Sequence, residues 1–409
     1  MHFTFLTALY SSYVDAFYAA RPGLARQTYA QQKSALDRDG FGWNGAWEPA
    51  LRPLGYEVQS LYANVEPLQR AWATEQSIAW PGLGWMEIIA RRQIEMFCPD
   101  ILLLDNLSLF RRPWLERGRV TCPRLRLILG YSGVYLPDFE TVKASNAIFS
   151  CARRSVEYFR QGGGRAFLLR HAFNAEMLER LPARTTQVDE LLFAGSIARG
   201  VGSHLEREQL IEGLVGAVPV SIYCPQGEIP YPVDWLKTGL RRSLYCLIQS
   251  LRRAGVPEPS LHRMPGIGRA THWMGMPLSQ INPRLRSRMK PPLYGIAIFT
   301  SMRDHAVTLN KHIDMAFAEA GNARLFEATG AGACLLTDWK ENLHEMFEPD
   351  YEVAVYRSNA ECIEKARWLL QHPVERNAMA AAGQARVLRS HTFTHRAAEL
   401  DQLIRSELQ

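Results

Sequence analysis

The stretch "MEIIARRQIEMFCPDILLLDN", residues 86–106, constrains the fold more than any other. Its first half repeats apolar residues at helical spacing and stops at Pro99. Ile101 to Leu104 then form an unbroken apolar run, the mark of a strand buried on both faces of a parallel sheet. Asp105 and Asn106 follow at its carboxyl end. "HFTFLTALY", "LGYEVQSLYAN", "RLRLILGYSG", "SNAIFSC" and "RAFLLRHAFN" read as further strands with helical patterns between them. Such alternation predicts an α/β fold with a doubly wound parallel sheet.

The series then repeats. "LERLPARTTQVDE" is polar and aperiodic, so it reads as a linker. A second set starts at "DELLFAGSIARG" and continues through "VPVSIYC", "HAVTLNK", "ACLLTD" and "YEVAVYRS". A chain of 409 residues is too long for one ordinary core. We therefore expect two Rossmann-like domains, 1–182 and 183–393, facing across a cleft at the carboxyl ends of their strands. The last helix, 394–409, is expected to pack back on the first domain.

A basic insert, 231–290, interrupts the second series. It carries eleven Lys and Arg against Asp234 and Glu258, an excess of nine positive charges where the whole chain has +6. That points to an anionic partner. No nucleic-acid module accompanies the charge, so nucleic acid is not expected. Within the insert, 235–254 reads as one amphipathic helix with Leu236, Leu240, Leu244, Leu247 and Leu251 in a stripe. Such a stripe is ordinarily the core-facing side of a helix; the alternative is peripheral contact with an anionic membrane.

Other features narrow the class. Seven scattered cysteines without a CxxC pair argue against a disulfide framework or a zinc site, which fits a reducing cytoplasm. The N-terminus shows no basic leader, so no signal peptide is expected. No apolar run approaches ~18 residues, so no segment is expected to span a bilayer.

Three motifs could carry chemistry. In "LLFAGSIARGVGSHLERE" a strand runs into Gly195-Ser196 and a glycine loop before a helix. Glycines let a backbone approach an anion, and a helix N-terminus offers free N–H groups. Arg199, His204 and Arg207 lie around that turn, which could equally be an ordinary tight strand–turn–helix. In "HAVTLNKH", Asn310 and Lys311 follow a strand and should face the cleft. In "NARLFEATGAGACLLTD", Arg324 and Glu327 share a helix face, and Asp338 ends the next strand. A carboxylate there could accept both hydroxyls of a ribose while the guanidinium reaches phosphate. The bland alternative is a surface ion pair worth ~0.3 kcal/mol.

These blocks, with "YEVAVYRSNAECIEKARWLLQHPVERNAMAAAGQARVLRSHTFTHR", resemble the C-terminal, group 1-type domain of CgeB-like glycosyltransferases, two-Rossmann-domain enzymes of the GT-B class. The resemblance is close over 291–396 and looser elsewhere. It implies a nucleotide-sugar donor on the C-terminal domain, with Glu327 of "FEATGAG" on the ribose and Gly195, Ser196 and Arg199 along the phosphates. It implies an acceptor on the N-terminal domain: a glycan, a lipid-linked sugar or another envelope component. No metal or other cofactor is implied. Glu319 falls eight positions before Glu327, where related enzymes often hold a second acid, but its surroundings lack the usual glycines. Candidates for a catalytic base are Asp105, Tyr131, Asp138 and His171, although a residue at such a position is more often structural. The enzyme is expected to be cytoplasmic, with a peripheral place at the inner face of the membrane as the alternative. The rival reading is a non-catalytic glycan-binding or coat-assembly protein that keeps the fold.

Overall fold

The computed structural model describes residues 1–133, 138–184, 186–197, 205–229, 231–271, 276–277, 282–312 and 319–408. Six strands form the first sheet: β1 (His2–Thr7), β2 (Glu57–Tyr62), β3 (Ile101–Leu104), β4 (Leu127–Tyr131), β5 (Ala147–Ser150) and β6 (Ala166–Leu168). They are all parallel, in the order β2-β1-β3-β4-β5-β6. The unbroken apolar runs have a direct cause: both faces of the sheet are covered. Phe3, Phe5, Leu103 and Leu129 pack on one side, and Leu6, Leu102, Leu104 and Ile128 on the other.

The second sheet comprises β7 (Val188–Ala194), β8 (Val220–Tyr223), β9 (Met289–Lys290), β10 (His305–Asn310), β11 (Leu335–Asp338) and β12 (Ala354–Tyr356). It is also all parallel, in the order β12-β11-β10-β7-β8-β9. Strand order reverses between β1 and β3 in the first sheet and between β7 and β10 in the second. Such switch points open a crevice at the carboxyl ends, where open α/β sheets bind ligands. Edge strand β9 lies inside the basic insert and was not anticipated; two residues carry no periodicity to read.

The terminal helix, Phe393–Leu408, returns to the first domain. Ala397, Leu400 and Ile404 enter the core built by Phe3, Phe5 and Trp47. Tyr56 donates to Asp401 at 2.7 Å, and Arg165 pairs with Glu407 at 2.6 Å. The chain thus crosses between domains twice, and the crossings are tied together. Phe173 N–H donates to the His391 carbonyl at 2.9 Å, and Phe393 N–H donates to the Phe173 carbonyl at 3.1 Å.

The basic helix spans Tyr231–Arg253. Most of its leucine stripe does not face a core: Leu236 is 57% exposed, Leu240 64% and Leu247 48%, while Leu244 and Leu251 are half-buried. The buried positions are Asp234, Thr238 and Ile248 instead. Among the described residues no helix is long and apolar enough to cross a membrane.

Candidate functional site

A cavity of about 480 Å³ lies between the two sheets, lined from both domains. On the N-terminal wall, Asp105 follows β3 and accepts a hydrogen bond at 2.8 Å from the Thr7 hydroxyl at the end of β1. That bond spans the switch point. Burial pushes the Asp105 carboxyl up to about 7, against the lowering effect of the Thr7 bond. Tyr131, which ends β4, lies with its hydroxyl 3.2 Å from His171 Nε2. Burial, with the Arg396 charge nearby, lowers the His171 imidazole to about 4, so it is neutral at neutral pH. Its Nδ1 has no partner among the described residues.

The same wall carries a loop that the sequence reading passed over, "GFGWNG" at 40–45. Gly40, Gly42 and Gly45 have φ of +67°, +62° and +65°, a left-handed backbone that side chains resist. At Gly45 a Cβ would also meet the Asp37 carbonyl oxygen at 2.7 Å. This tight path brings Trp43 and Asn44 into the cleft. The Trp43 ring lies edge-on to Tyr131, with centroids 4.5 Å apart. Asn44 is buried, and its Nδ2 has no partner among the described residues. The available signal was three glycines in six residues alternating with aromatic rings.

The C-terminal wall presents Gly195 after β7, Asn310 and Lys311 at the end of β10, and Arg324 and Glu327 on the helix Arg324–Gly330. Arg324 Nη1 lies 3.2 Å from Glu327 Oε2. They form an ion pair, but inside the cleft rather than on an outer surface. Asn310 and Asn322 exchange amide hydrogen bonds of 2.7 and 3.3 Å, and Asn310 also donates to the Thr337 hydroxyl at 3.0 Å. That network fixes where β10 ends relative to Arg324.

Arg207 is buried and donates to two backbone carbonyls, Ser196 at 3.0 Å and Lys311 at 2.6 Å. It braces the loop after β7 against the end of β10 across the switch point, and it also lines the cleft. Lys311 stands near Glu206 at 2.9 Å and Asp338 at 3.5 Å. Burial works against its charge, but these carboxylates more than offset that and raise its pKa.

Other candidates are placed elsewhere. Asp338 lies beneath the loop: its Oδ1 accepts from the His312 backbone at 3.0 Å and lies 2.7 Å from His312 Nδ1. Burial disfavours its charge, yet His312 and Lys311 hold it well below the usual carboxylate range. Asp338 therefore supports the Asn310–His312 turn rather than lining the cavity. Ser196 contributes its carbonyl to Arg207 and a long contact to Gln226, 3.5 Å from its hydroxyl. Asp138 caps the helix Phe139–Ala144, accepting from Glu140 and Thr141 backbone N–H groups at 3.1 and 3.3 Å. It takes no part in the cavity lining. Glu319 accepts from the Arg154 backbone N–H across the domain boundary at 2.9 Å. Arg199 and His204 lie outside the described residues.

The fold and this two-walled cleft define a class. The architecture is GT-B, two parallel-sheet domains facing across a cavity. An alpha-glucosyltransferase solved with UDP-glucose and DNA containing an abasic site superposes with a TM-score of 0.54 at 9% identity, covering 99% of each chain. A glycosyltransferase from Rickettsia africae superposes at 0.52 with 10% identity, covering 100% of this chain and 99% of that one. Anabaena Alr3699/HepE, solved with UDP-glucose, superposes at 0.51 with 12% identity, covering 98% and 99%. At such identities the likeness is one of fold. Residues 253–402 match the family model described as Glycosyl transferase-like. No curated protein matches the chain.

Proposed function

We propose that the protein is a glycosyltransferase that moves a sugar from a nucleotide-sugar donor to an acceptor hydroxyl. One observation carries this reading. The same cavity holds Glu327, Arg324 and Lys311 on its C-terminal wall and Asp105 on its N-terminal wall. In this reading Glu327 accepts hydrogen bonds from the donor's ribose. Arg324 and Lys311 neutralise the diphosphate as its bond to the sugar C1 breaks and the electron pair moves onto phosphate oxygen. Asp105, poised near 7, takes the proton of the acceptor hydroxyl as its oxygen bonds to C1. Gly195 leaves room for the diphosphate against the backbone. Closure of the two domains excludes water, so the sugar passes to the acceptor rather than being hydrolysed.

The donor sites of this reading also include Arg199, which the resemblance implies along the phosphates, and His204, read from the same turn in the sequence; both lie outside the described residues. The acceptor is a glycan, a lipid-linked sugar or another envelope component, and no metal takes part. Thermal-shift measurements with UDP, GDP, dTDP and CMP test the donor. One nucleotide should raise the melting temperature, and the Glu327→Ala protein should respond far less. Indifference to all four would leave the non-catalytic glycan-binding or coat-assembly reading in possession. Metal independence has its own test: EDTA should leave transfer intact, and a complete loss reversed by added metal would overturn it.

A further inference from the structure

The helix Tyr231–Arg253 lies ahead of the family match at 253–402, and nothing in the transfer reading uses it. At 100° per residue, Val233, Leu236, Leu240 and Leu247 fall within roughly 60° of arc. All four are exposed, from 40% at Val233 to 64% at Leu240. The face that meets the protein is roughly 130° away, centred on Asp234, Thr238 and Ile248. A helix already packed on one side thus keeps an apolar stripe in solvent on another. An isolated exposed leucine needs no explanation, but four in register do.

Cations flank one side of the stripe. Lys237 and Arg241 follow it around the helix, roughly 70° and 110° from its centre, and both are exposed with no carboxylate within ion-pair reach among the described residues; Arg242 and Arg253, also exposed, lie toward the opposite side. Asp234 is the helix's one acid and is buried, and Glu258 is taken by Arg252 at 2.5 Å. The outer surface of the helix is therefore apolar and purely cationic. The helix leaves the sheet through the short turn Pro225–Glu228 after β8, from the end of the sheet that opens on the cleft.

We propose that this face docks on an anionic lipid bilayer. Val233 and the leucines enter the boundary between headgroups and acyl chains while Lys237 and Arg241 reach lipid phosphates. A second copy of the chain fits less well: pairing two such faces would bring like charges together along their flanks. The docking does not rest on glycosyl transfer. A protein that ignored every nucleotide could still bind bilayers, so the two readings fail separately.

Vesicle co-sedimentation of the full chain tests it, with phosphatidylcholine vesicles lacking or containing phosphatidylglycerol. Wild type should bind the phosphatidylglycerol vesicles and release them at high salt. The Leu236→Gln/Leu240→Gln/Leu247→Gln protein and the Lys237→Gln/Arg241→Gln protein should each bind about tenfold more weakly or worse. Both replace exposed side chains, so circular dichroism and melting temperature should match wild type. Equal binding to both vesicle types, or none to either, overturns the proposal. So does a wild-type dimer in sedimentation velocity that the leucine substitutions convert to monomer, since the face would then join two copies.

Discussion

Asp105 is the residue whose environment most shapes the chemistry open to this cleft. Water-poor surroundings hold its carboxyl near 7 against an ordinary value of about 4. If it is the base, transfer should climb as pH rises through about 7, and Asp105→Asn should lower kcat by about 10²- to 10⁴-fold. A pH–rate profile of both proteins checks this. The stability consequence has the opposite sign. A raised carboxyl pKa favours the folded state at low pH, and that contribution fades as pH climbs from about 4 through about 7. Asp105→Asn removes the penalty, so it should melt higher than wild type at pH 8 and no higher at pH 4; scanning calorimetry at the two values decides. Glu327 makes a different case. Among the described residues its carboxylate pairs with Arg324, and its remaining lone pairs can accept two ribose hydroxyls. Losing bonds to a charged acceptor should weaken nucleotide binding about tenfold to a hundredfold. Titration calorimetry with the nucleotide that raises the melting temperature measures it. Both residues stood out in the sequence, Asp105 because it ends an unbroken apolar run and Glu327 because it lies three residues from Arg324 on one helix face. Asn44 did not: a lone asparagine in a glycine loop has no periodicity, and only the left-handed backbone at Gly40, Gly42 and Gly45 carries it into the cavity.

At the scale of elements, the helix Arg324–Gly330 is held by close approach as much as by its own hydrogen bonds. A Cβ at Gly330 would lie 2.3 Å from the Phe173 ring, which belongs to the crossing between domains. Gly330→Ala must move that ring or the helix, and the helix carries Glu327. The expected result is a loss of roughly 1–3 kcal/mol in urea unfolding together with weaker nucleotide binding. The terminal helix offers a cleaner measurement. Leu400 is fully buried in the N-terminal core although it lies at the far end of the chain. Leu400→Ala should cost about 2–5 kcal/mol, read by the same unfolding. The basic helix shows how an element's sequence can be read correctly and its placement wrongly. Its period gives the helix and the stripe, but period says only that leucines share a face, not that anything covers it. Here the partly polar face, with Asp234 and Thr238, takes the protein side.

At the scale of the whole molecule, contacts between distant parts of the chain tie the two domains together. Glu345 of the second domain pairs with Arg153, at 2.5 Å, and with Arg170 of the first. Arg153 above all, through its hydrogen bond, holds the Glu345 carboxyl below its ordinary value. Its contribution is present above the unfolded carboxylate pKa and lost as pH falls through the lowered folded one. Glu345→Gln should loosen this contact between the domains, seen as a larger radius of gyration by small-angle scattering and a raised donor KM with the fold intact. What the amino-acid order determined unaided is the pair of parallel sheets, because burial on both faces demands unbroken apolar runs, and the polar residues stationed where those runs end. It also marked Arg324 and Glu327 as neighbours, since residues three apart on a helix must be. Only the tertiary structure decided which of these polar residues share one cavity. It sent Asp138 to a helix cap and Asp338 beneath a turn, joined Asp105 to Thr7 across the switch point, and left Leu236, Leu240 and Leu247 of the basic helix in water. Local periodicity fixes the direction of a side chain within its own element. What stands opposite it depends on packing between segments hundreds of residues apart, which no local pattern encodes.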